Sequence, residues 1–290
     1  MKLVTYNIQY GTGRDGKVDL PRIAGALGGA DVIALQEVER FWPRSGNVDQ
    51  ARALADLLPE YFWVYGAGVD LHAGDDAPRG ARRQFGNMLL CREPLLTSRH
   101  HLLPKYGSTG PLSIQRSALE ATALFSGRAL RFYSVHLTHL SAATRLPQVE
   151  ALLAIHAGAA SEGAPLSGDL RQPGGGWDAG AQVVADDALL LGDFNFQPDS
   201  KEYELIAGPL SDYGGRITNP RGFVDAWCAA GNDIAAGFTS DVNGEPARLD
   251  YCFAAASLRE RITACRVDES ALGSDHFPLW TEMDLQRETR

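Results

Sequence analysis

Cysteine is scarce in this chain. Its four residues, Cys91, Cys228, Cys252 and Cys265, are widely scattered across 290 positions, and no C-x-x-C pair occurs. That argues against a disulfide framework or a cysteine zinc site and suits free, buried thiols in a reducing compartment, so a bacterial-type cytoplasm is expected. No apolar run reaches 18 residues, so no transmembrane segment is expected. The opening stretch "MKLVTYNIQYGTG" lacks the apolar core and small-residue cleavage site of a signal peptide. Positive charge is also short: 27 Lys and Arg face 36 Asp and Glu, a formal net charge of −9. Affinity for duplex phosphates normally needs basic surface, so this balance disfavours a general nucleic-acid enzyme, although a local basic loop could override it.

What is present is the material of an ordinary core. A hydrophobic fraction of 44% with 22% charged residues fits a globular protein, and a single domain over residues 1–290 is expected, as a monomer. Short apolar runs of strand length recur at 2–8, 31–38, 61–68, 86–91, 118–125, 129–137, 187–196, 248–255, 262–268 and 278–284, bounded by Gly, Pro or Asp. Helical patterns lie between some of them. "DLPRIAGALGG" has an apolar face at Leu20, Ile23 and Leu27, with Asp19 as N-cap and Gly28 as stop. "NVDQARALADLLPEY" and "AATRLPQVEALLAIHAG" read the same way. Strands outnumber helices, which favours stacked sheets with helices outside. The segment 158–182 is rich in Gly, Ala, Pro and Ser and reads as a flexible loop insertion, expected at the pole away from any site at the strand ends.

Several strands end in polar residues of catalytic type. "LVTYN" ends in Asn7, "VIALQE" in Gln36 and Glu37, "RFYSVH" in His136, and "LLLGDFN" in Asp193 and Asn195. "GSDH" adds Asp275 and His276. One such residue is ordinarily a turn or a cap. Several gathered at one sheet edge would instead make a ligand site. Asp250, in "RLDYCF", alternates with apolar neighbours and should point inward, where a carboxylate needs a partner. His276 is the favoured partner, since an Asp–His hydrogen bond fixes the tautomer and raises basicity; neighbouring Arg248 is the alternative.

In order and spacing, "TYNI", "LQEVE", "GNMLLCREPL", "QRSALEATAL", "HLTHL", "GDFNFQPDS", "LDY" and "SDHFPL" resemble the endonuclease/exonuclease/phosphatase superfamily of metal-dependent phosphoesterases, across nearly the whole chain. The resemblance implies an α/β (α+β) fold, a four-layer α-β-β-α sandwich of two mixed sheets like that of DNase I. It implies Glu37 as principal metal ligand, with Asn7 and Asp275 supporting the metal shell. Asp193 would orient or deprotonate the attacking water, Asn195 would donate to phosphoryl oxygens, and His136 would stabilise developing charge. His276, oriented by Asp250, would be the general base; whether the histidine or the aspartate takes the proton stays open. Oxygen donors of this kind suit Mg²⁺ or Mn²⁺.

The motifs fix reaction type better than substrate. The loop at 69–87 holds Arg79, Arg82 and Arg83, which either grip phosphate oxygens or form a solvated surface balanced by Asp75 and Asp76. Arg116, in the loop at 104–117, matches a phosphate-contacting arginine of DNase I-like relatives. Trp42 is a candidate for stacking on a ring, with packing as its alternative. "EYFWVYG" is expected to be a buried strand. The favoured reading is a Mg²⁺- or Mn²⁺-dependent hydrolase of a phosphoester, a small or lipid-derived phosphodiester first, with a monoester as a variant. The alternatives are a nuclease on DNA or RNA and a non-catalytic binding relative.

Overall fold

The computed structural model describes residues 1–74, 77–167 and 183–287. Fourteen strands are present among them: β1 Lys2–Asn7, β2 Val32–Arg40, β3 Phe62–His72, β4 Arg82–Cys91, β5 Thr97–Leu102, β6 Ser117–Phe125, β7 Arg128–His136, β8 Ala188–Asp193, β9 Phe223–Asp225, β10 Ser240–Val242, β11 Glu245–Ala247, β12 Asp250–Ala255, β13 Ile262–Val267 and β14 Leu279–Met283. One six-stranded sheet has the order β13-β14-β1-β2-β4-β3, and a second has the order β5-β6-β7-β8-β12-β9. Only β1–β2 and β7–β8 pair in parallel; every other pair within the two sheets is antiparallel, so both sheets are mixed.

Side chains alternate across a strand, and here both faces of the central strands are apolar. Leu3, Val32, Ala34 and Leu89 of the first sheet pack against Phe132, Leu189, Leu191 and Cys252 of the second, forming the core between them. The alternate residues Val4, Tyr6, Ile33 and Leu35 face outward onto helices α1 (Leu20–Ala26) and α2 (Gln50–Leu57). On the opposite side Tyr133, Val135 and Leu190 meet Val149 and Leu152 of α3 (Ala142–Glu162) and Tyr203 and Ile206 of α4 (Lys201–Ala207). A short α5 (Ala226–Ala229) closes one end. The result is the expected four-layer α-β-β-α sandwich.

Every strand expected from the sequence is present, and the three expected helices form. Asp19 caps α1 by accepting from the Arg22 backbone N–H, and the helix ends two residues short of Gly28. Two expectations need correction. The 158–182 loop cannot begin at Gly158, because α3 continues to Glu162; residues 168–182 lie outside the described residues. "EYFWVYG" is not a buried strand either. β3 stands at the edge of its sheet, so Phe62 and Trp63 remain 51% and 38% exposed. The polar edge strand β5 carried no apolar signal and was not legible. No helix among the described residues is long and apolar enough to cross a membrane.

Candidate active site

Alternation also decides which polar residues meet. Leu3 faces the inter-sheet core, so Asn7, an even number of residues on, faces the same way. The same parity carries Phe132 to His136, Leu191 to Asp193 and Cys252 back to Asp250. Register brings their levels together, since Asn7 pairs with Gln36, and Asp193 lies between His136 and Asp250. Gly192 permits this close approach, because a Cβ there would stand 1.9 Å from the Val135 carbonyl oxygen.

Glu37 breaks the alternation. In a regular strand it would face the helices, opposite to Gln36. The β2–β4 register shifts between Leu35 and Val38, and Glu37 adopts a left-handed backbone with φ of 61°. This bulge re-aims its carboxylate towards the inter-sheet edge, where Oε1 stands 4.0 Å from His136 Nε2. Gln36 instead donates to the Ser134 hydroxyl at 3.0 Å, tying the sheets together just below the site. Asn87 does the same from β4, donating to the Ser117 and Ser134 carbonyls at 2.9 Å.

Asp193 is the hub. Its Oδ2 accepts from Asn7 Nδ2 at 2.9 Å and lies 3.3 Å from His136 Nε2 and 3.9 Å from His276 Nε2. Its Oδ1 accepts from the Asn195 backbone N–H at 2.9 Å. Asn195, itself left-handed with φ of 54°, points its amide nitrogen back to the Leu137 carbonyl at 3.0 Å. Burial raises the Asp193 pKa to about 7, opposed chiefly by the His276 charge.

His276 Nδ1 lies 2.7 Å from Asp250 Oδ2. Burial lowers the imidazole pKa, but Asp250, then Asp193 and Asp275, outweigh it and raise it to about 10. The Arg248 alternative is ruled out by geometry: its guanidinium donates to buried Asp225 at 2.8 Å. Thr239 sets Asp250 in place, its hydroxyl accepting the backbone N–H groups of Leu249 and Asp250 at 3.1 Å. His276 is carried on the loop before β14, where Ser274 donates to the Asn7 carbonyl at 2.7 Å.

Arg116 is buried, and its two terminal nitrogens are 2.9 Å from His136 Nδ1 and 3.2 Å from His139 Nδ1. A guanidinium can only donate, so both imidazoles accept there and His136 carries its proton on Nε2, facing Asp193 and Glu37. Burial, then repulsion from Arg116 and His276, holds the His136 pKa well below its ordinary value, so it is neutral. Arg116 is thus spent on the Nδ1 side of both histidines, where the sequence reading expects a contact to phosphate. His139 and Thr239 were missed in the sequence; "HLTH" carried the first in plain view.

The three loop arginines do not join this cluster. Arg82 pairs with Asp70 at 2.7 Å, Arg83 donates to the Ala73 carbonyl at 2.7 Å, and Arg79 is exposed. The strands β3 and β4 run further than the sequence pattern indicated, and this hairpin carries the arginines beyond the site. Asp75 and Asp76 lie outside the described residues. Asp275 sits at the exposed rim, accepting from Gln9 Nε2 at 2.8 Å.

The oxygen donors are of the kind a hard divalent cation takes. Desolvation raises the Glu37 pKa, against the opposing charges of Arg116 and His276, and this half-buried carboxylate would be relieved by a cation. Among the described residues no group of three or more His, Cys, Asp or Glu side chains is arranged to hold a metal ion. An ion held by Glu37 with Asn7 beside it would keep most of its coordination as water, which suits Mg²⁺ and Mn²⁺ and not structural zinc.

None of the curated proteins matches the sequence. Solved structures do resemble the fold. An endonuclease/exonuclease/phosphatase from Beutenbergia cavernae is 22% identical, covering 98% of this chain and 71% of its own, with a TM-score of 0.67. Truncated Caenorhabditis elegans TDP2 is 18% identical over 98% and 97% of the two chains, with a TM-score of 0.59. A Bacteroides thetaiotaomicron mannosyl-6-phosphatase is 17% identical over 98% and 100%, with a TM-score of 0.61. The sequence profile of the Endonuclease/Exonuclease/phosphatase family matches residues 4–276, and the chain belongs to that family.

Proposed function

We propose that this protein hydrolyses phosphoesters with the help of Mg²⁺ or Mn²⁺, by direct attack of water on phosphorus, and that its substrate is a small or lipid-derived phosphodiester. The observation that carries this reading is the convergence on Asp193: one buried carboxylate, raised to about 7, faces two imidazoles of opposite protonation. A cation bound at Glu37 and Asn7 would neutralise charge on the phosphoryl group.

The remaining work falls to the chain's own groups. Asp193 is the better proton acceptor for the attacking water, because a base near pH 7 combines availability with driving force. His276, kept protonated by Asp250, donates to a phosphoryl or leaving oxygen. His136 offers its Nε2–H as a neutral donor. The second amide hydrogen of Asn195 is available to a third oxygen. This assigns the base to the aspartate and the cationic donor to the histidine.

Hydrolysis of bis-p-nitrophenyl phosphate should require Mg²⁺ or Mn²⁺, stop in EDTA and be lost in His276→Ala. No turnover of any phosphoester with metal present would overturn the reading. Phosphomonoesters belong in the same panel, since one structural relative is a sugar phosphatase. A nuclease would instead degrade plasmid or oligonucleotide at low salt and lose activity steeply as salt rises. The net charge of −9 and the internally paired Arg82 weigh against that outcome.

A further inference from the structure

Arg82 and Arg83 are taken up within their hairpin, and Arg116 by two imidazoles. Another guanidinium, that of Arg44, borders the cluster and is fixed on several sides. It lies in the turn Pro43–Ser45 after β2, which Gly46 closes with a left-handed φ of 81°. Its Nε and Nη2 both donate to Oε1 of Glu39, the first at 2.9 Å. The Glu39 side chain is fully buried, while that of Arg44 is 48% exposed. The second Glu39 oxygen accepts from the Ser45 hydroxyl at 2.8 Å. The guanidinium also lies 4.1 Å from the centre of the Tyr10 ring and 5.3 Å from that of Trp42. Trp42 is itself held, its indole donating to the Gln84 carbonyl at 2.7 Å.

Both anchors of Arg44 grow out of the residues that would hold the cation. Glu39 follows Glu37 by two residues on β2, no more than about 7 Å at the usual strand rise. Val38 packs on the helices, so Glu39 faces the inter-sheet side, to which the bulge also turns Glu37. Tyr10 follows Asn7 by three residues, in a turn pinned to the same cluster. There the Gln9 backbone N–H donates to Asn7 Oδ1 at 3.1 Å, and the Gln9 side chain donates to Asp275, next to His276, at 2.8 Å. Gln50 joins the two anchors, accepting from the Glu39 backbone N–H at 2.9 Å and donating to the Tyr10 carbonyl at 2.6 Å. Arg44 thus bridges the chain beyond Glu37 to the chain beyond Asn7. Burial opposes its charge, but the bond to Glu39 and nearby charges, Glu37 among them, raise its pKa above the ordinary value.

A guanidinium carries five N–H groups. Glu39 takes one on Nε and one on Nη2, and the Arg44 side chain makes no other hydrogen bond among the described residues. The outer edge, with one N–H from each terminal nitrogen in parallel, is left to a ligand and matches two oxygens of a phosphoryl group. A buried carboxylate is a costly way to neutralise a surface arginine. Together with two flanking rings, it is an effective way to stop the fork from turning.

We infer that Arg44 is a substrate-binding residue of this site: the outer edge of its guanidinium takes two unesterified oxygens of the phosphoryl group, beside a cation at Glu37 and Asn7. Glu39 and Tyr10 are its positioning residues. This rests on the phosphoester reading above and adds the residue that orients the phosphorus.

The test compares Glu39→Gln with the double variant Glu39→Gln, Arg44→Met, so that no buried carboxylate is stranded. The probe is methylphosphonate with Mg²⁺, its affinity measured by calorimetry on the full chain. The double variant should bind it at least about tenfold more weakly than the single one, as expected for loss of charge-assisted hydrogen bonds. KM for bis-p-nitrophenyl phosphate should rise by a similar factor, with kcat less affected. Were Arg44 only the counter-ion of Glu39, the two variants would bind alike. In the unmodified protein, methylphosphonate should also slow phenylglyoxal modification of Arg44, read by peptide mass, and leave that of exposed Arg79 unchanged. Equal affinities of the two variants, no protection of Arg44, or no binding of the probe to the unmodified protein would each overturn the inference. Turnover by the unmodified protein separates the two readings. Turnover with equal affinities rejects the Arg44 contact alone, whereas no turnover of any phosphoester rejects the reaction itself.

Discussion

The Nδ1 atom of His276 and the Oδ2 atom of Asp250 lie 2.7 Å apart, joining the loop before β14 to the first residue of β12. Asp250 has no exposure, and its second oxygen makes no hydrogen bond with the described residues. The imidazole is therefore the side-chain partner of this carboxylate among them. Asp250→Asn keeps the shape and removes its charge, so the imidazolium loses its main support. The rate should fall by roughly 10²–10⁴-fold, the range for loss of a positioned acid or base. A kcat within a few-fold of the unmodified protein would show that the pair is structural.

The pH profile should be bell-shaped with Mg²⁺ present. Asp193 must be ionised to accept a proton, so the rate rises as pH passes about 7. His276 must be protonated to donate, so the rate falls as pH passes about 10. Replacing His276 by Gln should abolish the alkaline limb and move the acidic limb to higher pH, because it removes the charge that opposes burial at Asp193. Loss of the acidic limb altogether would return the role of base to the histidine.

Arg116 separates two readings by kinetics. If it only fixes the two histidines, Arg116→Met lowers kcat, by on the order of 10²-fold as when a positioned donor is lost, with KM nearly unchanged. If it grips phosphate, KM rises instead. Its burial and its contacts to His136 and His139 support the first outcome.

Away from the chemistry, Asp225 is buried with Arg248, Tyr203 and the Trp227 backbone N–H as partners at 2.8, 2.8 and 2.9 Å. Arg248→Met would leave that carboxylate without its counter-charge, destabilising the fold by about 3–5 kcal/mol. Thermal unfolding should shift down by roughly 10 °C. Asp225→Asn with Arg248→Met should recover part of the loss.

The alternation of apolar residues determined much by itself. It set the strands, the sheet faces and the inward direction of Asn7, His136, Asp193 and Asp250, because side chains on a strand can only alternate. The chemistry of a buried carboxylate favoured His276 over Arg248 as the partner of Asp250, and the fold decided between them. Three things the alternation could not decide. Glu37 points into the site only because pairing with β4 forces a bulge, and a bulge is a property of two strands. Arg116 reaches His136 and His139 only because β6 and β7 pair antiparallel, with Ser117 opposite His136. Arg82 and Arg83 look free in sequence, yet their partners Asp70 and Ala73 come from the facing side of the hairpin. A charge's partner and a strand's register are set in space, so local residue pattern does not contain them.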